Sequence, residues 1–202
     1  MKKYLVMIAS RVGKLWGSRI VLILAFFVLV VHGAKADDAK TAITVMIEEQ
    51  ARIDRYVELD FARQDLLFHQ TSTILALYGD YNSYTKSDGT QANGSDMTRF
   101  RNRVTEYVPA AIVDFRRKSQ RDKSISEDEA SKVEAAEALM EEMLLAAGEI
   151  IELCDANKPY EASLVYRDKT MPLNTKLLGL LYTLRSTSVG RFKKAALKAK
   201  YQ

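Results

Sequence analysis

The spacing of apolar residues constrains the fold of this chain more than any other feature of its sequence. Between residues 133 and 154, small and apolar residues recur at alternating steps of three and four: Val133, Ala136, Met140, Met143, Ala147, Ile150 and Cys154. That spacing puts all of them on one side of an α-helix, whereas a half-buried strand would alternate apolar and polar residues. The preceding "SEDE" is a capping box, with Ser126 and Glu129 as partners. We therefore predict a half-buried helix that begins just after Ser126.

A longer segment, residues 39–79, carries the same spacing. Its predicted inward-facing line is Ile43, Met46, Gln50, Ile53, Val57, Asp60, Gln64, Leu67, Thr71, Ile74 and Tyr78. Seven of these eleven positions are apolar, so we predict a long helix with a mostly buried seam. Asp60 is the one charge on the line, and we expect neighbouring Phe61 to turn inward in its place. The uncharged polar members of the line either fix the helix register or face a cavity.

Two further helices complete the pattern, and each contains a proline. We predict one from Ser95, as its cap, to Lys118, with a kink at Pro109. The other follows a cap at Asn157 and runs to Leu197, with a kink at 169–172 caused by Pro172. Its predicted apolar positions are Tyr160, Leu164, Met171, Leu173, Leu177, Leu180, Leu181, Leu184, Phe192 and Leu197. The Gly- and Asn-rich stretch 79–96 is predicted to turn the chain between the first two helices.

Four long amphipathic helices predict an all-α fold. The natural architecture for heptad-like seams is an elongated up-and-down four-helix bundle, here residues 37–202. About 166 residues are enough for one domain with its own core. No sustained strand alternation and no glycine-rich phosphate loop occurs in the sequence.

The first 36 residues have the layout of an export signal. Six basic residues and no acid precede Asp37, and the apolar run 20–31 is 12 residues long. A permanent membrane span needs about 20 apolar residues, so the run is short for one. Ala34 and Ala36 supply the small-x-small pattern that signal peptidase accepts, and cleavage after Ala36 is our prediction.

An uncleaved signal anchor is the alternative for this leader. Leu15 and Trp16 would then extend the apolar face enough for a tilted helix, with Trp16 at the membrane interface. In both cases the positive charge before the apolar run holds the N-terminus in the cytoplasm. We therefore expect residues 37–202 to be exported and to stay in the periplasm, at the inner membrane or anchored to it.

Charge separates the leader from the rest of the chain. The whole sequence has 30 Lys+Arg and 26 Asp+Glu, but without the six basic residues of the leader the formal net charge is −2. A nucleic-acid partner is therefore not expected, because it requires a basic face on the folded domain.

The remaining basic residues concentrate after Asp168, beyond which no acid occurs, and around 116–123. In an up-and-down bundle these regions share the end that carries the N-terminus, where each Lys or Arg near anionic headgroups contributes about 1 kcal/mol. The alternative is a solvated helix end. The predicted membrane-contact residues are Arg116, Arg117, Lys118, Arg121, Arg191, Phe192, Lys193, Lys194 and Leu197.

The sequence does not predict an enzyme, a cofactor or a metal site. His69 is the only histidine beyond the leader, so a metal site built on several histidines cannot be assembled. Cys154 lies on the apolar line of its helix, which favours a small core residue over a reactive thiol. Acidic pairs such as Glu141 and Glu142 are interpreted as solvated helix faces.

Two segments carry a resemblance to a known family. The long first helix opens into "RIDRYVELDFARQDLL", and the last helix opens with "PYEASLVYRDKTMPLNTKLLGLLYTL". With the leader and two shorter middle helices, residues 15–190 resemble the four-helix sensor domain of bacterial chemoreceptors (methyl-accepting chemotaxis proteins) and related sensor kinases. Ala162 and Pro172 match an alanine and a proline found early in that family's last helix. The resemblance implies a periplasmic, often dimeric, ligand-sensing bundle whose last helix transmits a small displacement across the membrane.

The resemblance does not extend to a signalling half. We expect no second transmembrane helix, linker or signalling coil after Gln202. We expect a detached sensor module that works with a separate signalling protein, a truncated relative, or a bundle used for another purpose.

Polar residues late in the first helix and early in the fourth are the predicted ligand site. They are Arg63, His69, Gln70, Tyr166, Arg167 and Thr170, with Gln64 and Thr73 beside them. An up-and-down arrangement brings these helices side by side, where Arg63 and Arg167 would clamp a carboxylate through bidentate hydrogen bonds. The alternative is that both arginines belong to solvated helix faces.

A second hypothesis needs no small ligand. The chain would be a structural envelope protein, a helical rod held at the inner membrane that engages partner proteins. Apolar residues beside the predicted seam, Ile47, Phe68 and Leu75, favour a homodimer under either hypothesis.

Overall fold

The computed structural model describes residues 36–78 and 93–201, and these residues form helices and no strand. Helix α1 is Ala36–Tyr78 and helix α3 is Glu127–Asp155. Helix α2 comprises Asn93–Asn102, the π-helical turn Arg103–Tyr107, and Val108–Arg121. Helix α4 comprises Pro159–Val165, the π-helical turn Tyr166–Thr170, and Met171–Tyr201. The all-α prediction is confirmed, while the leader and the polar turn before residue 93 lie outside the described residues.

Both internal prolines follow a π-helical turn instead of ending a helix. A proline removes one helical hydrogen bond, and its ring clashes with the carbonyl four residues earlier. In the two turns, Val108 N–H bonds the Arg103 carbonyl and Met171 N–H bonds the Tyr166 carbonyl, each five residues back. These wider turns lie close before Pro109 and Pro172, so both helices continue through their prolines, and a π-helical turn is one of the usual causes of a kink.

The ends of α3 show how the sequence terminates a helix. Ser126 is its N-cap, and the Ser126 hydroxyl accepts the Glu129 backbone N–H at 3.3 Å, as predicted. At the other end, Asn157 has φ 55°, a left-handed conformation that asparagine tolerates. The Lys158 N–H bonds the Leu153 carbonyl at 2.9 Å, which completes a Schellman motif.

Two predicted caps were wrong. Asn157 does not cap α4, because it terminates α3 and Lys158 is the N-cap of α4. Pro159 is then the first residue of α4, where its missing N–H costs nothing. Ser95 lies inside α2, which begins at Asn93.

The described residues form two compact units. The main unit is 52–186, and the terminal unit joins 36–51 to 187–201. In the terminal unit Ala42 and Met46 of α1 and Ala195 and Ala199 of α4 are buried.

The core of the main unit draws on all four helices. Its buried residues include Leu59, Leu66, Phe100, Val108, Ile112, Phe115, Leu177, Leu181 and Leu184. Every residue on the predicted line of α3 is buried, which confirms that line. On α4 the prediction was partly wrong, because Tyr160, Met171 and Leu197 are exposed.

The buried line of α1 is displaced by about one residue from the predicted line. Its members are Ala42, Met46, Glu49, Arg52, Tyr56, Leu59, Arg63, Leu66, Gln70 and Thr73. Asp60 and Gln64, which we placed on the seam, are only half-buried, and the Asp60 carboxylate accepts bonds from Arg63 and Gln64. The predicted seam is therefore wrong in phase, because partnered polar side chains occupy much of the inward face.

Ion pairs in the main unit show that α2 runs antiparallel to both α1 and α3. As residue numbers rise along one helix, those of its partners fall along the next. The pairs are Glu58–Lys118 and Asp65–Arg103 between α1 and α2, and Arg116–Glu141 and Arg101–Asp155 between α2 and α3.

Candidate functional site

Two polar contacts define how α1 and α4 face each other in the main unit. The Arg63 Nη1 donates to Asn174 Oδ1, and the Tyr78 and Ser163 hydroxyls lie 3.2 Å apart. These contacts fix an antiparallel register in which the stretch 63–78 of α1 runs beside 163–174 of α4. The predicted ligand residues of both helices fall between the two contacts.

Three of the side chains in this stretch are buried without a partner. Gln70 and Thr170 are fully buried and Thr73 is 3% exposed. Within the described part of the chain, neither polar atom of the Gln70 amide has a hydrogen-bond partner, and neither hydroxyl has one. A buried polar group without a partner costs about 1–3 kcal/mol, so natural proteins usually satisfy it. One amide and two hydroxyls in this stretch therefore have unused hydrogen-bonding capacity.

The π-helical turn of α4 determines where Thr170 lies. Thr170 is the last residue of that turn and directly precedes Met171 and Pro172. A π-helical turn holds one more residue than an α-helical turn, so it rotates the following residues around the helix axis. Such turns occur frequently at functional sites.

The charged residues nearby are neutralised inside the protein. Arg63 is 6% exposed, and its Nε donates to Asp60 Oδ1 at 2.8 Å. His69 Nε2 lies 3.6 Å from an Asp65 carboxylate oxygen, and Arg103 forms an ion pair with the same carboxylate at 2.7 Å. The unpaired groups of Gln70, Thr73 and Thr170 are thus neutral ones.

The predicted pair Arg63 and Arg167 occupies two different environments. The Arg167 side chain is 69% exposed and forms an ion pair with neighbouring Asp168 at 2.6 Å. Its hydrogen bonds go to Asp168, whereas those of Arg63 go to Asp60 and Asn174. Tyr166 is half-buried and packs against the core of the main unit. Gln70, Thr73 and Thr170 are therefore buried in the stretch between the two contacts, whereas Arg167 is exposed.

An open groove lies on the outer side of the same turn, between α3 and α4. It has a volume of about 380 Å³ and is lined by Glu142, Leu145, Ala146, Glu149, Asp168, Lys169, Pro172 and Leu173. Lys169 Nζ bonds Glu149 Oε2 at 2.6 Å across the groove. Of these acids, Glu142 was interpreted from the sequence as part of a solvated helix face, since nothing in the sequence indicated which part of α4 would lie beside it.

A second polar cluster joins α1 to the loop between α2 and α3, and the sequence analysis missed it. The Asp122 carboxylate accepts hydrogen bonds from Arg52 and Arg55, which are 3% and 4% exposed. The bonds from Arg52 are the main reason that the pKa of Asp122 lies well below its ordinary value; burial opposes the shift. Beside this cluster the Tyr56 hydroxyl donates to Glu129 Oε1 at 2.9 Å. The arginine spacing in "ARIDRY" was the only sequence signal for this cluster.

Many of the predicted membrane-contact residues already have acidic partners. Arg116 bonds Glu137 and Glu141, Arg117 bonds Asp114, and Lys118 bonds Glu58 and Asp114. In the terminal unit, Arg191 Nε donates to the buried Glu49 at 2.6 Å and Phe192 is half-buried. Arg121, Lys193, Lys194 and Leu197 are exposed.

Residues 36–78 and 93–201 contain no group of three or more His, Cys, Asp or Glu side chains arranged to hold a metal ion. In the same ranges, no helix is both long and apolar enough to cross a membrane. No family model matches the chain, and no curated protein or solved structure matches it significantly.

Proposed function

We propose that this chain is an exported sensor-type module, an up-and-down four-helix bundle that binds a small molecule between its first and fourth helices. The antiparallel contacts between successive helices of the main unit support this bundle. In keeping with the resemblance to chemoreceptor sensor domains, the module would lie in the periplasm at the inner membrane. It would pass its signal to a separate signalling protein.

One observation carries the ligand-binding part of the proposal. Gln70, Thr73 and Thr170 are buried on two facing helices with no partner for their polar atoms among the described residues. A bound molecule that offers both donors and acceptors would satisfy these groups and would contact α1 and α4 together. Because it would bind one arrangement of the two helices better than another, it would shift their equilibrium, which a sensor requires.

The ligand class follows from the charges around these groups. Arg63 and His69 have carboxylate partners, Asp60 and Asp65, so no unbalanced charge adjoins the unpaired amide. A neutral molecule with amide or hydroxyl groups fits better than the carboxylate that an arginine clamp would hold.

We propose a binding role and no catalytic one. Burial, and secondarily the negative charge of Asp155, raises the pKa of the Cys154 thiol to about 11. The thiolate that a cysteine nucleophile needs is therefore scarce at neutral pH. His69 lies beside Asp65 at 8% exposure, with little access for a substrate.

The alternative function, a structural envelope rod, is favoured by a different observation. Ile47, Phe68 and Leu75 of α1 are between 52% and 62% exposed. Exposed apolar side chains on one helix suit contact with a second copy or a partner helix. This alternative predicts self-association and no small-molecule ligand.

A thermal-stability screen of the full-length chain in mild detergent tests the proposal. The helical signal at 222 nm would be followed in the presence of neutral amides, polyols, amino acids, organic acids and aromatic acids. A ligand at 100 times its Kd stabilises by about 2.7 kcal/mol, which is a shift of several degrees for a chain of this size.

Matched variants would locate the binding site. Gln70→Met should abolish the shift, and Gln120→Met, which alters an exposed amide, should keep it. If no compound raises the melting temperature while sedimentation shows a stable dimer, the rod alternative is the better account.

A further inference from the structure

The groove between α3 and α4 includes the exposed apolar side chain of Leu145. This residue is 76% exposed, the highest value among the large apolar residues in the described ranges. The buried Ala146, Pro172 and the half-buried Leu173 line the same groove. A single exposed leucine is ordinary, but this one borders a partly apolar groove of about 380 Å³, which is a surface that a partner can cover.

Acidic side chains of α3 surround Leu145. At about 100° per residue, four of them lie within about 60° of Leu145 around the helix axis. They are Glu134, Glu142, Glu149 and Glu152. Glu149 pairs with Lys169 at 2.6 Å. The other three glutamates are exposed, and within the part of the chain that the structure describes their carboxylates form no ion pair or hydrogen bond. We call Leu145 and these four glutamates the acidic face.

The charge around the acidic face is negative when the neighbouring bases are counted. Residues 134–152 of α3 and 167–183 of α4 hold seven acids and three bases. Arg116 of α2 adds one base, because it pairs with Glu137 and Glu141. The formal net charge is therefore −3. A positively charged partner is attracted to such a surface, whereas an acidic protein or an anionic membrane is repelled.

The length of the acidic face indicates the size of its partner. Glu134 and Glu152 are 18 residues apart, which is about 27 Å at 1.5 Å per residue. A small cation would reach one or two of the carboxylates, whereas a helix of about five turns lying along α3 would reach all of them. The α4 side leaves room for it, since Gly179 lies on the same side of α4 as Pro172 and a Cβ there would meet no atom within 4 Å.

We propose that the α3–α4 groove and the acidic face bind a basic amphipathic helix of a partner protein. Apolar side chains of that helix pack on Leu145 and Leu173, and its Lys or Arg side chains pair with Glu134, Glu142 and Glu152. In such a helix-in-groove contact the apolar residues anchor the helix and the charges select it. The surface uses none of the side chains proposed to bind a ligand between α1 and α4, and neither proposal depends on the other.

Binding of a defined peptide to the full-length chain tests this surface. The probe is a fluorescein-labelled synthetic peptide of about 18 residues, which matches five helical turns, with leucines on one side of its helix, lysines on the other and alanines between them. The chain would be held in zwitterionic nanodiscs, and empty nanodiscs would give the background of the fluorescence anisotropy. We expect saturable binding that weakens in high salt, because the Debye length falls from about 10 Å at 0.1 M to about 3 Å at 1 M. The same peptide with Glu in place of Lys should not bind.

Matched variants would locate the contact. Glu142→Lys and Leu145→Ser should each weaken peptide binding about tenfold or more, the usual scale for loss of an anchor residue. The controls are Glu106→Lys and Val113→Ser, which make the same changes at exposed positions of α2 and should keep the wild-type affinity. Because all four positions are exposed, the variants should keep the helical signal at 222 nm.

The proposal is overturned if the wild type does not bind the basic peptide. It is also overturned if Glu106→Lys weakens binding as much as Glu142→Lys, since the attraction would then be a general effect of charge. Sedimentation of the chain alone checks whether a second copy is the occupant. Self-association that Glu142→Lys and Leu145→Ser abolish would assign the surface to a homodimer and would overturn the proposal equally.

Discussion

The buried Arg52 and the half-buried Asp122 form a bidentate ion pair that fastens α1 to the loop between α2 and α3. The Arg52 Nε lies 2.7 Å from Asp122 Oδ2, and its Nη2 lies 2.9 Å from Oδ1. Arg52 is 3% exposed, so water cannot replace Asp122 as its partner. Removing one member of a buried pair leaves the other as an uncompensated charge, which is far more damaging than loss of a surface pair.

Asp122→Asn should therefore destabilise the protein strongly, by about 3 kcal/mol at neutral pH. It should also change the response to acid. The Arg52 and Arg55 bonds hold the Asp122 pKa below its ordinary value, so the stability they confer is present above the unfolded pKa of about 3.9. That stability is lost as the pH falls from about 4 toward the lower folded pKa. Urea unfolding between neutral pH and pH 3 measures it.

Asp114→Asn is the matched control for this experiment. The Asp114 carboxylate also has a lowered pKa, caused first by the Lys118 hydrogen bond and then by Arg117, but its partners are exposed. Solvent screens such pairs, so this variant should change stability little. Equal effects of the two substitutions would contradict a special role for Asp122.

The buried hydroxyl of Tyr56 predicts that the stability of the fold also decreases at alkaline pH. Burial raises the pKa of its hydroxyl well above the ordinary value, and the charge and hydrogen bond of Glu129 raise it further. A raised folded pKa contributes stability that is fully present below the unfolded pKa of about 10 and is lost as the pH rises above it. Absorbance at 295 nm should show one of the ten tyrosines ionising only on unfolding.

Tyr56→Phe should remove that late-ionising tyrosine. At neutral pH it should cost about 1–3 kcal/mol, because Glu129 loses a hydrogen bond in a buried site. Tyr182→Phe, at a position 73% exposed, is the control. The interpretation fails if all tyrosines ionise together in the folded protein.

Apolar periodicity predicted α3 and its buried line correctly because that line contains no charged residue. The same reasoning misplaced the seam of α1 by about one residue. There the inward face includes Glu49, Arg52 and Arg63, each with an oppositely charged partner on α1, on α4 or in the loop before α3. The partners of Glu49 and Arg52 come from distant parts of the chain, so a single sequence gives no sign that these two charges can be buried.

The candidate ligand site could be predicted only in part. Its polar residues on α1 and α4 were identified from the sequence, and Gln70, His69, Arg63 and Thr170 are buried. The outward position of Arg167 could not be predicted, because the π-helical turn Tyr166–Thr170 changes the side of α4 on which the neighbouring residues lie. Pro172 indicated an irregularity there, but the sequence did not indicate a π-helical turn.

Cys154 should be inert in the folded protein. It is 5% exposed, and burial raises the pKa of its thiol to about 11, so little of the reactive thiolate is present at neutral pH. A thiol reagent such as Ellman's should label it slowly in buffer and rapidly in guanidinium chloride. Labelling at the same rate in both conditions would show that the thiol is accessible and would contradict a core role.

Thr170→Val should stabilise the ligand-free protein, by about 1 kcal/mol. Valine has nearly the same shape and lacks the buried hydroxyl for which the described residues provide no partner. The same change should weaken binding of any ligand that stabilises the wild type, the trade-off expected at a functional site. Chemical unfolding with and without ligand measures both effects.

Thr175→Val is the control for this prediction, since Thr175 is exposed and its hydroxyl bonds the Met171 carbonyl. It should have little effect on stability or binding. Destabilisation by Thr170→Val would mean that the buried hydroxyl already has a partner, which would remove the main support for the ligand site.

The last prediction concerns the basic surface and the inner membrane. Lys193 and Lys194 are exposed and, among the described residues, form no ion pair, whereas Arg116 is held by Glu137 and Glu141. If cleavage follows Ala36, the protein should begin Asp-Asp-Ala-Lys and should leave membranes in high salt, because the Debye length falls from about 10 Å at 0.1 M to about 3 Å at 1 M. The double change Lys193→Gln and Lys194→Gln should then lower the salt needed for release, and Arg116→Gln should not. An uncleaved protein should instead need detergent for release, and recovery of a freely soluble protein at low salt would contradict membrane association in either form.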